Sequence, residues 1–219
     1  MTTPKPAPHP TRVSLDGLYA RLEPLALNHA GDLFAAVHIP DAEARFAYLP
    51  SHPFASVEAL REWIVSQQEL ADPIVFAVID KATGRAGGWQ QMMRIEPKHG
   101  VIEIGYVYWG PAIARTRVAT EALYLFARHI FEDLVYRRFE WKCNNRNEPS
   151  KTAALRFGFS FEGIFRQHMI VKGESRDTAW FSMLDSEWPS RKAGFERWLA
   201  PENFDAAGQQ IDKLRFDAI

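Results

Sequence analysis

An anion is well held by backbone N–H groups that have no other partner, and the stretch from Val101 to Asp133 is built to offer them. Val101-Ile102-Glu103-Ile104-Gly105-Tyr106-Val107-Tyr108-Trp109 reads as a strand, since β-branched and aromatic residues dominate it. Gly110-Pro111 ends it, because proline has no N–H to continue a ladder. Thr116 or a neighbour then caps a helix whose apolar residues recur at Val118, Ala122, Leu125, Phe126 and Ile130. The first N–H groups of such a helix lack internal acceptors and the dipole adds partial positive charge, so strand, loop and helix start form a cradle for phosphate or pyrophosphate. On this stretch alone, a strand–helix crossover that simply packs a core is the simpler reading. Two other reactive residue types offer less. Cys143 is the only cysteine, so it forms no internal disulfide and no thiolate cluster; within the alternation Phe139, Trp141, Cys143 it reads as a core residue rather than a nucleophile. The seven histidines do not fall into ligand spacings, so no metal is expected.

The elements that must position this chemistry can be read in order. Met1 to Pro10 carries Pro4, Pro6, Pro8 and Pro10 among small polar residues, so residues 1–13 are expected to be a disordered leader. A strand is expected at Tyr19 to Glu23, helices at about Asn28 to Val37 and Asp41 to Leu49, and a longer helix capped by Ser56. Its apolar stripe is Val57, Leu60, Trp63, Ile64 and Leu70, and Pro73 stops it. Ile74 to Asp80 is apolar on both faces, as a central strand should be. A turn at Lys81 to Arg85 returns the chain through Ala86 to Arg94, and Pro97-Lys98-His99-Gly100 turns it into the Val101 strand. After the long helix come a strand at Arg138 to Asn144, a short helix at Pro149 to Phe157, and a hairpin of Phe159 to Val171 with Thr178 to Leu184. A last helix spans Ser190 to Leu199.

A chain of 219 residues, 47% hydrophobic, can bury a full core. The expected division is a leader at 1–13, one domain at 14–187 and a helical C-terminal extension at 188–219. With 26 basic and 27 acidic residues the formal charge is −1, which leaves no electrostatic footprint for nucleic acid or an anionic membrane. No apolar run is long enough to span a bilayer, and the N-terminus lacks the apolar core of a secretory signal, so a cytoplasmic protein is expected. The element order implies an α/β (α+β) fold, a mixed sheet with helices on both faces, whose crossover helix joins parallel strands in the right-handed sense.

Four short pieces make this order specific: Glu103-Ile104-Gly105-Tyr106, Thr120-Glu121-Ala122, Asn147-Glu148-Pro149-Ser150 and Gly158-Phe159-Ser160-Phe161-Glu162-Gly163. With them, Ser14 to Asp185 resembles the GNAT superfamily of acetyl-CoA-dependent N-acetyltransferases, most closely the RimJ/RimL branch that acetylates ribosomal-protein N-termini. The resemblance implies a mostly antiparallel sheet that splays beside the Val101–Trp109 strand. It further implies that the pantetheine arm pairs with backbone at Val107, Tyr108 and Trp109. The pyrophosphate would rest on Arg115, Thr116, Arg117, Val118, Ala119 and Thr120. The family's loop carries Gln or Arg, then Gly, then Gly or Ala, where this chain has Ala114, Arg117 and Ala119. Arg117 would narrow the cradle, yet Arg115 and Arg117 also bring two guanidiniums to the pyrophosphate's place, or else face water.

The same resemblance makes Glu103 the candidate base and Ser150 the donor to the departing thiolate, with Asn147 capping the helix and meeting pantetheine. A structural carboxylate and an ordinary first-turn serine are the competing readings. Where RimL-like enzymes place a glutamate, this chain has Met169, and neighbouring His168 would substitute as base. Asp177 would accept a substrate ammonium or pair with an arginine. Trp89, Gln90, Gln91, Tyr106, Tyr108 and Trp109 would line an acceptor pocket or fill the core. The expected acceptor is a protein N-terminal amine or a small amine, with a polyamine disfavoured by the lack of an acidic cluster. A homodimer is compatible with the family. The alternative class is a non-catalytic acyl-CoA-binding module with a degenerate phosphate loop.

Overall fold

The structure is a computed structural model and describes residues 6–217. Eight strands form one sheet: β1 (Leu15–Asp16), β2 (Ala20–Pro24), β3 (Ile74–Asp80), β4 (Arg85–Glu96), β5 (Val101–Trp109), β6 (Arg138–Asn144), β7 (Ser160–Val171) and β8 (Glu174–Leu184). Their spatial order is β1-β2-β3-β4-β5-β6-β8-β7, and β5 with β6 is the one parallel pair among the described residues. Six helices accompany it: α1 (Ala30–Val37), α2 (Ala42–Phe46), α3 (Val57–Gln68), α4 (Arg117–Arg128), α5 (Glu148–Arg156) and α6 (Trp188–Leu199). This is the mixed, mostly antiparallel sheet expected, with α4 as the crossover between the parallel strands.

Period-two alternation splits the core into two layers. On β3, Ile74, Phe76 and Val78 face the layer that α4, α5 and α6 cover, while Val75, Ala77 and Ile79 face α1, α2 and α3. The second layer is aromatic: Trp89 stacks on Tyr108 at 4.8 Å, and Phe46, Phe54 and Trp63 close round Trp89. Trp89, Gln90, Gln91 and Tyr108 are therefore core rather than pocket. Tyr108 donates its hydroxyl to the Ala36 carbonyl, and Gln90 donates to that of Ala122.

Two details position the site. The β4–β5 register shifts between Trp89 and Gln91, and Tyr106 bulges there with φ +44°. Meanwhile β5 pairs with β6 from Val101↔Arg138 only as far as Ile104↔Trp141. Beyond that pair the strands part, so the far half of β5 has no strand on that side.

The expected leader behaves differently from a free tail. Residues 1–5 fall outside the described residues, but Ala7 donates its N–H to Pro97, Tyr136 donates to the Pro8 carbonyl, and Arg12 donates to Gln67 and Leu70. Prolines that cannot join a ladder still offer carbonyls, and the segment docks through them. At the other end, α6 stacks Trp188 and Phe195 on Tyr124 of α4, so it shares the main core. The chain after α6 is helical only in a short 3-10 turn, Pro201–Asn203, yet Phe204 and Phe216 pack back onto Trp198 and Phe195.

Candidate active site

A cleft of about 1140 Å³ opens where β5 and β6 part, and its walls come from β4, β5, β6, α5, the start of α4, the β7–β8 hairpin and the C-terminal segment. Tyr106, Val107 and Trp109 line it; the Tyr108 side chain turns to the opposite core layer, so only its backbone could serve there.

At the mouth of α4, Thr116 caps the helix as expected, its Oγ1 accepting the Val118 N–H at 3.1 Å. That consumes the Val118 donor and buries its side chain, so Val118 is the one residue of the expected Arg115–Thr120 set that does not line the cleft. The N–H groups of Arg117 and Ala119 have no acceptor among the described residues. Arg115 adopts φ +63° and lines the cleft. Arg117 lies over the Tyr19 ring at 4.3 Å and the Phe204 ring at 5.2 Å. The family's glycine at this position is dispensable here, because Arg117 does not need a left-handed backbone. Arg156 on α5, which the sequence gave no reason to single out, donates to Thr120 Oγ1 at 3.2 Å and faces the Trp198 ring. None of Arg115, Arg117 and Arg156 has a carboxylate within 4.0 Å among the described residues. Three unpaired guanidiniums beside two free N–H groups fit the pyrophosphate of acetyl-CoA.

At the fork, Asn147 caps α5 by accepting the Ser150 N–H at 3.1 Å. This brings Ser150 Oγ to 3.0 Å from the indole nitrogen of Trp141, the last residue of β6 paired with β5. Oγ accepts that N–H, which leaves the hydroxyl proton free to donate. Cys143 lies beside it, buried; burial pushes its thiol up, opposed by the Ser150 hydroxyl and by Arg176 and Lys151.

Glu103 lies in the cleft wall with its carboxylate almost wholly buried. Arg94 at 2.7 Å and Lys142 at 2.9 Å both meet Oε2, and Oε1 takes part in neither pair. His168 stands apart. It is exposed, bonded through Nδ1 to Thr178 Oγ1 at 3.0 Å, and packed by Phe165 and Trp180. Burial of its ring and the nearby Arg94, Arg176 and Lys142 cations hold it below the usual imidazole range. It does not line the cleft, whereas Met169 beside it does, because neighbouring residues of a strand point to opposite faces. Asp177 is occupied as well, accepting the Gln167 N–H at 2.7 Å.

The family model described as "Acetyltransferase (GNAT) domain" matches residues 20–160. This chain is a GNAT acetyltransferase of the RimJ/RimL type. A crystal structure of a GCN5-related N-acetyltransferase from Brucella melitensis is 55% identical, with 96% of each chain covered and a TM-score of 0.94. A probable GNAT acetyltransferase from Chromobacterium violaceum is 37% identical over 86% of this chain and 97% of that one, at a TM-score of 0.78. An uncharacterised N-acetyltransferase, p20, from Bacillus licheniformis is 28% identical over 148 residues, 64% of this chain and 80% of that protein. The chain is thus an N-acetyltransferase, and GNAT enzymes use acetyl-CoA with an amine acceptor. The matched segment ends before the β7–β8 hairpin, α6 and the tail, which line the acceptor and α4 ends of this GNAT cleft. Among the described residues no helix is long and apolar enough to cross a membrane, and no group of three or more His, Cys, Asp or Glu could hold a metal ion.

Proposed function

We propose that this GNAT enzyme transfers the acetyl group at the fork of β5 and β6, with Ser150 and Glu103 as its proton-handling residues and a primary amine, of a protein N-terminus or a small molecule, as acceptor. The observation that carries this is the halt of pairing at Ile104↔Trp141 together with a Ser150 hydroxyl fixed one hydrogen bond from Trp141. Acetyl-CoA, when bound, supplies the thioester. The free edge of β5 from Val107 to Trp109 offers backbone groups to an extended amide-bearing arm, as an added strand would take them. Arg115, Arg117, Arg156 and the N–H groups of Arg117 and Ala119 hold the phosphates. Glu103 Oε1 takes a proton from the amine nitrogen as its bond to the acetyl carbon forms. Ser150 Oγ–H gives a proton to the sulfur as the carbon–sulfur bond breaks, and the backbone N–H near the Tyr106 bulge polarises the carbonyl.

Thermal shift with acetyl-CoA tests the placement. Melting temperature should rise with ligand, and Arg115→Ala with Arg117→Ala should weaken binding about 10- to 100-fold, the equivalent of one charge-assisted hydrogen bond lost. Undiminished affinity in the double variant would remove these two guanidiniums from the phosphate site.

A further inference from the structure

The acceptor end of the cleft carries one cation too many. Six charged side chains on the face of β4 to β8 form an alternating chain. Arg94 meets Glu103, Glu103 meets Lys142, Lys142 meets Glu140, Glu140 meets Arg138, and Arg138 meets Glu162, each within 3.0 Å. Three charges of each sign leave this chain neutral. Arg45, from the far wall, is answered by Asp41 at 2.8 Å. Arg176 is answered by nothing. Its Nε is buried without a hydrogen-bond partner, and no carboxylate lies within 4.0 Å of it among the described residues. It lines the cleft near Cys143 and Glu103, hence near the reaction centre. Arg94, the other nearby cation, repels it.

A half-buried guanidinium costs stability unless something meets it, and its planar fork matches a carboxylate. The rest of this end is apolar, with Met93, Tyr106, Met169 and Val171 along the walls. Lys172 at the hairpin tip donates to the Phe46 carbonyl at 2.9 Å, tying the hairpin across to α2 and narrowing the opening. We infer that Arg176 receives a carboxylate carried by the acceptor itself. The acceptor is then a small amino-acid-like molecule, its amine directed to Glu103 and its apolar body on Met93, Tyr106 and Met169. This rests on the transfer centre proposed above and narrows its acceptor.

The test is a panel of L-amino acids, each run beside its own carboxamide, with CoA release as readout. For the best acceptor, kcat/KM for the acid should exceed that for the amide at least tenfold, although the amide carries more neutral amine at pH 7.5. In Arg176→Gln the ratio should fall to near one, and in Arg176→Lys it should lie between. The melting temperature of Arg176→Gln without ligand should not fall, since the variant loses an uncompensated cation. If no member turns over, the same acid–amide pairs are compared by thermal shift on the CoA-loaded protein, where only the acids should stabilise. Amides or peptide N-termini favoured over acids, a ratio that survives in Arg176→Gln, or a lower melting temperature for that variant would overturn the inference. Those outcomes, with acetyl-CoA still bound, leave the transfer centre standing. Loss of acetyl-CoA binding in the parent would sink both.

Discussion

The contrast between Ser150 and His168 shows what decides a functional residue at the scale of one side chain. Both are polar residues that the family pattern brings to notice, yet only Ser150 reaches the cleft, because an N-cap and an indole N–H hold it there. His168 lies one residue from a cleft residue and therefore on the wrong face. Cys143 reads as core from its alternation and is buried, with a thiol raised chiefly by burial. Alkylation by iodoacetamide at pH 7.5 should thus be at least about tenfold slower in the native protein than in denaturant, which intact-mass spectrometry can follow. Comparable rates would mean that the thiol is open to the cleft. Glu162 offers a pH test. Its hydrogen bonds from Arg138 hold its carboxyl below the ordinary value of 4.5, opposed by burial and aided by Ser182. A carboxylate lowered on folding stabilises above its unfolded value, and that stability disappears as pH falls through the folded one. Glu162→Gln should therefore cost stability at pH 7 and little at pH 3. The pair is partly exposed, so screening keeps the cost near 1 kcal/mol or below in urea unfolding.

At the scale of elements, β3, β5 and β6 are legible in the sequence to the residue, because β-branched runs end at turn signals on both sides. The α3, α4 and α5 starts are equally legible from Ser56, Thr116 and Asn147, each of which accepts an N–H as a cap should. What the sequence hides is lateral: the charge chain from Arg94 to Glu162 spans five strands, and no local pattern announces it. The docked segment at 6–13 is hidden for a related reason, since backbone carbonyls carry no sequence signal. Glu121 is another such residue. It looks like one more helix carboxylate, yet it accepts the N–H groups of Leu18, Tyr19 and Ala20 at 2.8, 2.6 and 2.5 Å, pinning the β1–β2 turn to α4. Gly17 must stay bare beside it, as a Cβ would lie 2.5 Å from that carboxylate. Glu121→Ala should cost about 2–4 kcal/mol by orphaning three donors at once, measured by urea unfolding. A loss under about 0.5 kcal/mol would show that water replaces it.

For the whole molecule, the fold keeps opposite charges together on the sheet face and leaves its unpaired arginines in the cleft. Arg115, Arg117 and Arg156 crowd the α4 end and Arg176 the acceptor end, a distribution that makes sense only if anions arrive at both. The C-terminal segment completes the α4 end by stacking Phe204 under Arg117, beyond the reach of the matched family segment. Phe204→Ala should cost about 0.5–1 kcal/mol of acetyl-CoA affinity if the stack positions that guanidinium, which calorimetric titration would detect as a two- to fivefold change.

Acetyl transfer at the fork is tested most directly by Ser150→Ala, with acetyl-CoA affinity and kcat measured on the same preparation. A hydroxyl that protonates the departing sulfur matters mainly in the transition state, so affinity should stay within about twofold. On any acceptor the parent turns over, kcat should fall about 100- to 10,000-fold. A fall of only a few-fold, or a parallel loss of affinity, would contradict the role given to Ser150 and move the chemistry away from the fork.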